Sequence, residues 1–213
     1  FDCDGVLVDG EAVWNCITQE AVGELGVTLT ERDHRRYRGV LDVDMFADLA
    51  RRFEVAIPED FFERLQTRKV AASRELTAVP GAVDAVKRVA GTGVHMCVAS
   101  NGTVDETVVK LRAVGLLDHF MGRIFSGCDV PQGKPAPDLF LQASQVMNVD
   151  VSLCIVVEDS DTGVQGALSA GMMTLVLAPN GPSPFVAECG AQVFSGFPDL
   201  ADELVRMCGG EVG

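Results

Sequence analysis

Four short segments concentrate carboxylates, hydroxyls and a lysine: Asp2-Cys3-Asp4-Gly5, Ser100-Asn101-Gly102, Gly133-Lys134-Pro135 and Glu158-Asp159-Ser160. Asp2 and Asp4 stand two apart, and along an extended chain residues i and i+2 share a face. Two carboxylates on one face repel unless a cation sits between them or one holds a proton. Glu158 and Asp159 add a second acidic pair. Clustered carboxylates without a zinc-type Cys/His set point to a hard cation with oxygen ligands, best fitted by Mg²⁺. Lys134 and the backbone amides after Ser100 would add positive charge and donors. A cation, a lysine and turn amides beside an aspartate nucleophile suit a phosphoryl group. Each segment alone has an ordinary reading. Asp-x-Asp-Gly and Ser-Asn-Gly are turn signals, Gly-Lys-Pro is a surface loop, and Glu-Asp-Ser is a helix start capped by Asp161 or Thr162. Their joint occurrence, each at the end of an expected strand, carries the functional reading.

The elements that must position them follow from hydrophobic patterning. Residues 94–99, 153–157 and 174–177 are short apolar runs that read as strands, with weaker ones at 123–126 and 192–194. His95, inside the first run, reads as a core histidine. Between the runs lie helical stretches at 104–114, capped by Thr103 and stopped by Gly115, at 137–147 and at 162–170. Such alternation predicts an α/β fold, a Rossmann-like parallel sheet covered by helices on both faces. In such a sheet, ligands bind beyond the carboxyl ends of the strands. Residues 11–78 differ: helical patterns dominate at 11–25, 43–53 and 58–76. The expected organisation is therefore a core of residues 1–10 and 79–213 with an inserted all-α cap of residues 11–78. A buried first strand ordinarily carries four or five apolar residues ahead of such an aspartate. Only Phe1 precedes Asp2, which reads as a chain trimmed at its start.

Composition narrows the partners. The 213 residues carry 17 Lys+Arg against 31 Asp+Glu, a formal charge of −14. Such a chain is repelled by nucleic acid and by phospholipid surfaces unless a basic patch intervenes. The densest basic stretch, Arg32 to Arg38, is interrupted by Asp33 and reads mainly as a solvated helix face. Seven cysteines without zinc spacing, several inside apolar runs, read as reduced and buried, as in a cytoplasmic protein. No apolar run approaches the roughly 20 residues that span a bilayer. The sequence does not fix the oligomeric state, and a monomer is favoured.

Taken together, the segments resemble the haloacid dehalogenase superfamily. Residues 1–9 look like its first motif, 98–102 its second, 133–138 its third and 157–163 its fourth. The insert resembles the four-helix cap of the β-phosphoglucomutase-like branch. Residues 125–149 are modestly similar to the sugar-acid phosphatases of that branch, the 6-phosphogluconate phosphatases among them. The resemblance implies roles. Asp2 would be a nucleophile forming an aspartyl-phosphate. Asp4 would protonate the leaving oxygen and then activate water, its backbone carbonyl also facing Mg²⁺. Asp159 would ligate the metal, with Glu158 a ligand or its neighbour. Ser100, the amides of Asn101 and Gly102, and Lys134 would hold the phosphoryl oxygens. From the cap, Glu11 and Arg38 are the candidate substrate contacts, ahead of Arg68 and Lys69, which read as solvent-facing. Trp14 reads as a cap-core or cleft-wall residue.

Two departures bear on the reaction. The sugar-phosphate mutases carry a histidine where Trp14 stands, and a Thr or Ser where Gly10 stands. After Arg38-Gly39-Val40, a second phosphate would meet Asp42 rather than a cation. The expectation is a Mg²⁺-dependent phosphatase for a small phosphorylated metabolite, a sugar or sugar-acid phosphate. The alternatives are a phosphomutase of the same fold and a non-catalytic metabolite-binding member.

Overall fold

The computed structural model describes residues 1–209. The chain leaves the sheet through β1 (Val8–Asp9) and comes back through β2 (Thr77–Ala78). These two pair antiparallel, Val8 opposite Ala78 and Asp9 opposite Thr77. Between them run α1 (Glu11–Glu24), α2 (Glu31–Arg36), α3 (Asp42–Phe53) and α4 (Phe61–Ala72), the last followed by a 3₁₀ turn over Ser73–Glu75. These helices bury Ile17, Val22, Met45, Phe46, Leu49, Phe61 and Leu65 against one another. Phe46 meets Phe61 edge-on with ring centres 4.6 Å apart, a geometry worth about 0.5–1.5 kcal/mol beyond burial.

The remaining chain alternates as α5 (Ala82–Gly91), β3 (Val98–Ser100), α6 (Val104–Ala113), α7 (Leu117–Phe120), β4 (Ile124–Ser126), α8 (Asp138–Met147), β5 (Ile155–Glu158), α9 (Asp161–Ser169), β6 (Met173–Leu177), α10 (Pro184–Glu188), β7 (Gln192–Phe194) and α11 (Phe197–Met207). β3 pairs with β4, β5 with β6, and β6 with β7, all in parallel. Phe1 and Asp2 join the two halves. The Phe1 nitrogen donates to the Cys97 carbonyl at 2.9 Å, and its carbonyl accepts from the Ala99 amide at 2.9 Å. The Asp2 amide donates to the Val157 carbonyl at 2.9 Å. The spatial order is thus β4, β3, residues 1–2, β5, β6, β7.

Successive strand residues face opposite sides. Val98 and Val157 pack with Val86 and Val89 of α5 and with Leu200 and Leu204 of α11. Their neighbours Ala99 and Val156 pack with Leu139 and Phe140 of α8 and Ala167 of α9. The result is the expected three-layer α/β architecture with an all-helical insert.

Several local expectations need correction. The run 94–99 is a strand only from Val98 onward; before it Met96 still packs into the core while His95 turns outward. His95 is consequently exposed rather than in the core. The helix read at 58–76 ends at Ala72, because Ser73 turns its hydroxyl back onto the Lys69 carbonyl at 2.7 Å and the chain tightens there. α2 was not separately legible. The seven cysteines are all free, but only Cys3 is buried, and Cys16 and Cys128 are exposed. Among the described residues, no helix is long and apolar enough to cross a membrane.

Candidate active site

The ends of β3 and β5 and the turn after Asp2 meet in one cleft beneath the inserted helices. Lys134 is its hub. The Nζ atom lies 2.5 Å from Asp2 Oδ1 and 2.5 Å from Glu158 Oε1, and all three side chains are buried or nearly so. The second Glu158 oxygen accepts from the Asp159 amide at 3.0 Å, the Ser160 amide at 3.2 Å and the Ser160 hydroxyl at 3.0 Å. Both Glu158 oxygens are thereby engaged by the protein itself. Ser160 also caps α9 by accepting from the Gly163 amide. It does so in place of Asp161 or Thr162 because it is the last extended residue before the first turn.

Asp2, Glu158 and Asp159 each bring a carboxylate oxygen within 4.8 Å of the others. Burial pushes the Asp2 carboxyl up to about 7, with Glu158 and Asp4 adding to the rise and Lys134 opposing it. Burial, then Glu158 and Asp2, likewise hold Asp159 well above the carboxylate range. An all-oxygen donor set that is short of positive charge fits a hard divalent cation such as Mg²⁺. Asp159 is also met by the Arg38 guanidinium at 3.3 Å, which in turn bonds Glu11 Oε2 at 2.6 Å.

The Asp4 carboxylate is turned away from that cluster. Its Oδ1 accepts from Trp14 Nε1 at 2.7 Å and its Oδ2 from Lys110 Nζ at 2.7 Å. Behind Lys110 the charges alternate. Its ammonium lies 2.5 Å from Glu106 Oε1, Glu106 Oε2 lies 3.9 Å from Lys69 Nζ, and Lys69 bonds Asp42 Oδ2 at 2.8 Å. The Lys110 ammonium also sits 4.3 Å from the Trp14 ring centre. Burial alone would raise the Asp4 carboxyl, but the charge and hydrogen bond of Lys110, then Lys69 and Trp14, hold it below its ordinary value. Burial opposes the charge on Lys110, and Asp4 and Glu106 outweigh it.

The structure brings Asp2, Asp4, Ser100, Lys134, Asp159, Glu11 and Arg38 to one cleft. Gly102 gives its amide to the Ser100 hydroxyl at 3.1 Å. The Asn101 side chain is a strut: it donates to the Gly39 carbonyl at 2.8 Å and the Lys134 carbonyl at 3.1 Å, and accepts from the Lys134 amide at 3.0 Å. Lys69, expected to face solvent, lines the cleft because Asp42 and Glu106 draw it inward. Arg68 instead pairs with Glu24 on the outside of the insert. Trp14 does more than line the wall, since it donates to Asp4. Lys110 and Glu106 were missed. The available signal was an i,i+4 Glu–Lys pair following a Ser-Asn-Gly turn.

Comparison with known proteins identifies the family. The family model for haloacid dehalogenase-like hydrolases matches residues 1–171. The chain belongs to that family. The 6-phosphogluconate phosphatase of Escherichia coli K12 is 33% identical over 175 residues, covering 81% of this chain and 78% of that one. The phosphorylated carbohydrates phosphatase of Thermotoga maritima is 31% identical over 174 residues, covering 81% and 80%. A haloacid dehalogenase family hydrolase from Deinococcus radiodurans, solved with phosphate and sodium, superposes with TM-score 0.73 at 31% identity, covering 97% and 94%. A β-phosphoglucomutase from Clostridium difficile superposes with TM-score 0.86 at 19% identity, covering 98% and 94%, a likeness of fold alone. The expected branch of the family and the expectation of a phosphoric monoester hydrolase agree with these names.

Proposed function

We propose that this haloacid dehalogenase-like hydrolase is a Mg²⁺-dependent phosphatase for a small phosphorylated sugar or sugar acid. Residues 1–10 and 79–213 act as the catalytic core and residues 11–78 as a cap. The observation that carries the reading is the convergence of Asp2, Lys134 and the Asp159 carboxylate in one buried cluster, with Asp4 alongside. A cavity of about 170 Å³ lies between them and the cap. It is small beside ordinary ligand pockets of roughly 300–1,000 Å³, which suits a compact leaving group.

Asp2 attacks phosphorus as the bond to the ester oxygen breaks, giving an aspartyl-phosphate. Asp4 delivers a proton to the departing alkoxide, then takes one from the water that attacks the aspartyl-phosphate. Inorganic phosphate leaves and Asp2 is restored. Lys134 keeps Asp2 oriented and neutralises charge on the transferring group, with Ser100 beside it. Asp2, Asp159 and the Asp4 carbonyl would hold Mg²⁺, Glu158 supporting them from behind. When bound, the cation shields the phosphoryl charge from the attacking carboxylate. Glu11 and Arg38 face the substrate from the cap, and cap closure excludes bulk water. Seven free cysteines suit action in a reducing compartment such as the cytoplasm.

Trp14, rather than a histidine, on Asp4 favours phosphatase over mutase chemistry. The test is phosphate release from a panel of sugar and sugar-acid phosphates with Mg²⁺ and with chelator. Mg²⁺-dependent release focused on a few compounds, abolished in Asp2→Asn, supports the reading. Isomerisation without release would favour a mutase, and neither activity would favour a binding protein.

A further inference from the structure

The partners of Asp4 come from opposite sides of the cleft. Trp14 lies on α1 of the insert, whereas Lys110 lies on α6 of the α/β body. The two hold different oxygens of one carboxylate, each at 2.7 Å. A general acid must free one oxygen to reach its substrate and keep the other held. Only the body-borne partner keeps its place relative to Asp2 when the cap moves. Lys110 is itself fixed: its side chain is 2% exposed, and Glu106 Oε1 lies 2.5 Å away. Glu106 is 1% exposed, and that oxygen has no hydrogen bond of good geometry despite its closeness to Lys110. α6 buries this charged pair while leaving Val108 and Val109 only half-buried. Burying an ion pair in preference to available valines gives little stability, so a different gain is needed.

We infer that Lys110, braced by Glu106, is the positioning residue that anchors Asp4 through Oδ2 during turnover, leaving Oδ1 to exchange Trp14 for the substrate's leaving oxygen. This rests on the phosphatase reading of Asp4 as general acid. The ion pairs of Lys110 are to Asp4 and Glu106, not to Asp2, Glu158 or Asp159. Its contribution is to aim the carboxyl group.

Leaving-group dependence provides the test. A sugar phosphate expels a poor alkoxide and needs the proton, whereas p-nitrophenyl phosphate expels a phenolate that leaves without it. Lys110→Met is compared with the unaltered enzyme on both esters with Mg²⁺. General acid catalysis contributes roughly 10²–10⁴-fold, so kcat/KM, which reports the steps through leaving-group departure, should fall about 100-fold for the sugar phosphate and less than about threefold for p-nitrophenyl phosphate. The later hydrolysis of the aspartyl-phosphate is common to both esters and is read separately in kcat. Equal losses on the two esters would overturn the inference and assign Lys110 to structure alone. If Lys110→Met does not fold, Lys110→Met/Glu106→Leu removes both buried charges together and is read by the same ratio. The phosphatase reading fails separately, when the unaltered enzyme turns over neither ester.

Discussion

A Cβ atom placed on Gly10 would fall 2.5 Å from Trp14 Nε1 and 2.9 Å from its Cε2. That nitrogen is the atom that donates to Asp4 Oδ1 at 2.7 Å. The bare residue at position 10 therefore makes room for the indole, and the indole reaches the carboxylate only because the room exists. Gly10→Thr should push the ring off Asp4 and cost kcat roughly 10- to 100-fold, the usual toll for a catalytic group misplaced by about an ångström. Trp14→His should lose less in the Gly10→Thr background than alone, because the smaller ring no longer collides. Steady-state kinetics of the two single variants and the double variant form a cycle, and additive losses would refute the coupling.

Lys134 neutralises two buried carboxylates at once, each at 2.5 Å. Removing one partner of a buried charge cluster leaves the others uncompensated, which typically costs about 3–5 kcal/mol. Lys134→Met, which keeps the stem, should lose about that much stability in urea unfolding of the metal-free protein. Lys134→Met/Glu158→Gln should recover part of it, since one stranded carboxylate is then gone. Activity should be absent from both.

How far the chain could be read before folding varies with the kind of signal. The strand ends carrying Ser100 and Glu158 announce themselves because turn residues follow short apolar runs, whereas Asp2, with only Phe1 before it, was legible from its Asp-x-Asp-Gly motif. The parallel sheet follows from the same alternation, but its strand order was not read from the sequence. Lys110 and Glu106 stayed hidden because a charged pair four apart is, on almost any helix, a solvated one. Only the docking of α6 beneath Trp14 turns that face inward. Gly10 and Trp14 were both visible as departures from the mutase pattern. That they are one steric adjustment is a matter of three-dimensional distance, which spacing along the chain does not encode. Asn101 illustrates the reverse: its turn was legible, but its side chain serves the Gly39 and Lys134 loops instead of the ligand.

Asp33 should contribute to the acid sensitivity of the insert. Its carboxylate accepts from the Thr30 hydroxyl at 2.6 Å and the Thr30 amide at 3.0 Å, and pairs with Arg52 at 2.7 Å. The Thr30 hydroxyl first, then Arg52, hold the carboxyl below its ordinary value. A folded-state value below the unfolded one contributes stability that is present above about pH 4 and is lost as pH falls through the lower folded value. Asp33→Asn should therefore cost about 1–3 kcal/mol in urea unfolding at pH 7. The gap between variant and parent should close progressively below about pH 4. A gap that stays constant into strong acid would show that shape, not charge, is what Asp33 supplies.

Gly39 is one point at which the insert lies tightly against the body. Its φ of +72° suits glycine, and an added Cβ would meet Thr162 Oγ1 at 2.4 Å and Ser160 Oγ at 2.8 Å. The adjoining carbonyls are tied down as well, Gly39 to Asn101 Nδ2 at 2.8 Å and Arg38 to Thr162 Oγ1 at 3.3 Å. This contact carries Arg38 and Glu11 to the rim of the cleft, so loosening it should weaken substrate capture before it weakens the fold. Gly39→Ala places a side chain in the left-handed region, at a cost of about 1–2 kcal/mol, and against two hydroxyls besides. If that strain is relieved by letting the cap lift, kcat/KM for the preferred sugar phosphate should fall about tenfold, equivalent to about 1.4 kcal/mol. The loss should sit mainly in KM. Thr162→Ala removes one of the obstructing hydroxyls, so adding it to Gly39→Ala should restore part of kcat/KM even though it deletes a hydrogen bond. A double variant no better than Gly39→Ala would mean that backbone strain, and not the collision with α9, governs how the cap seats.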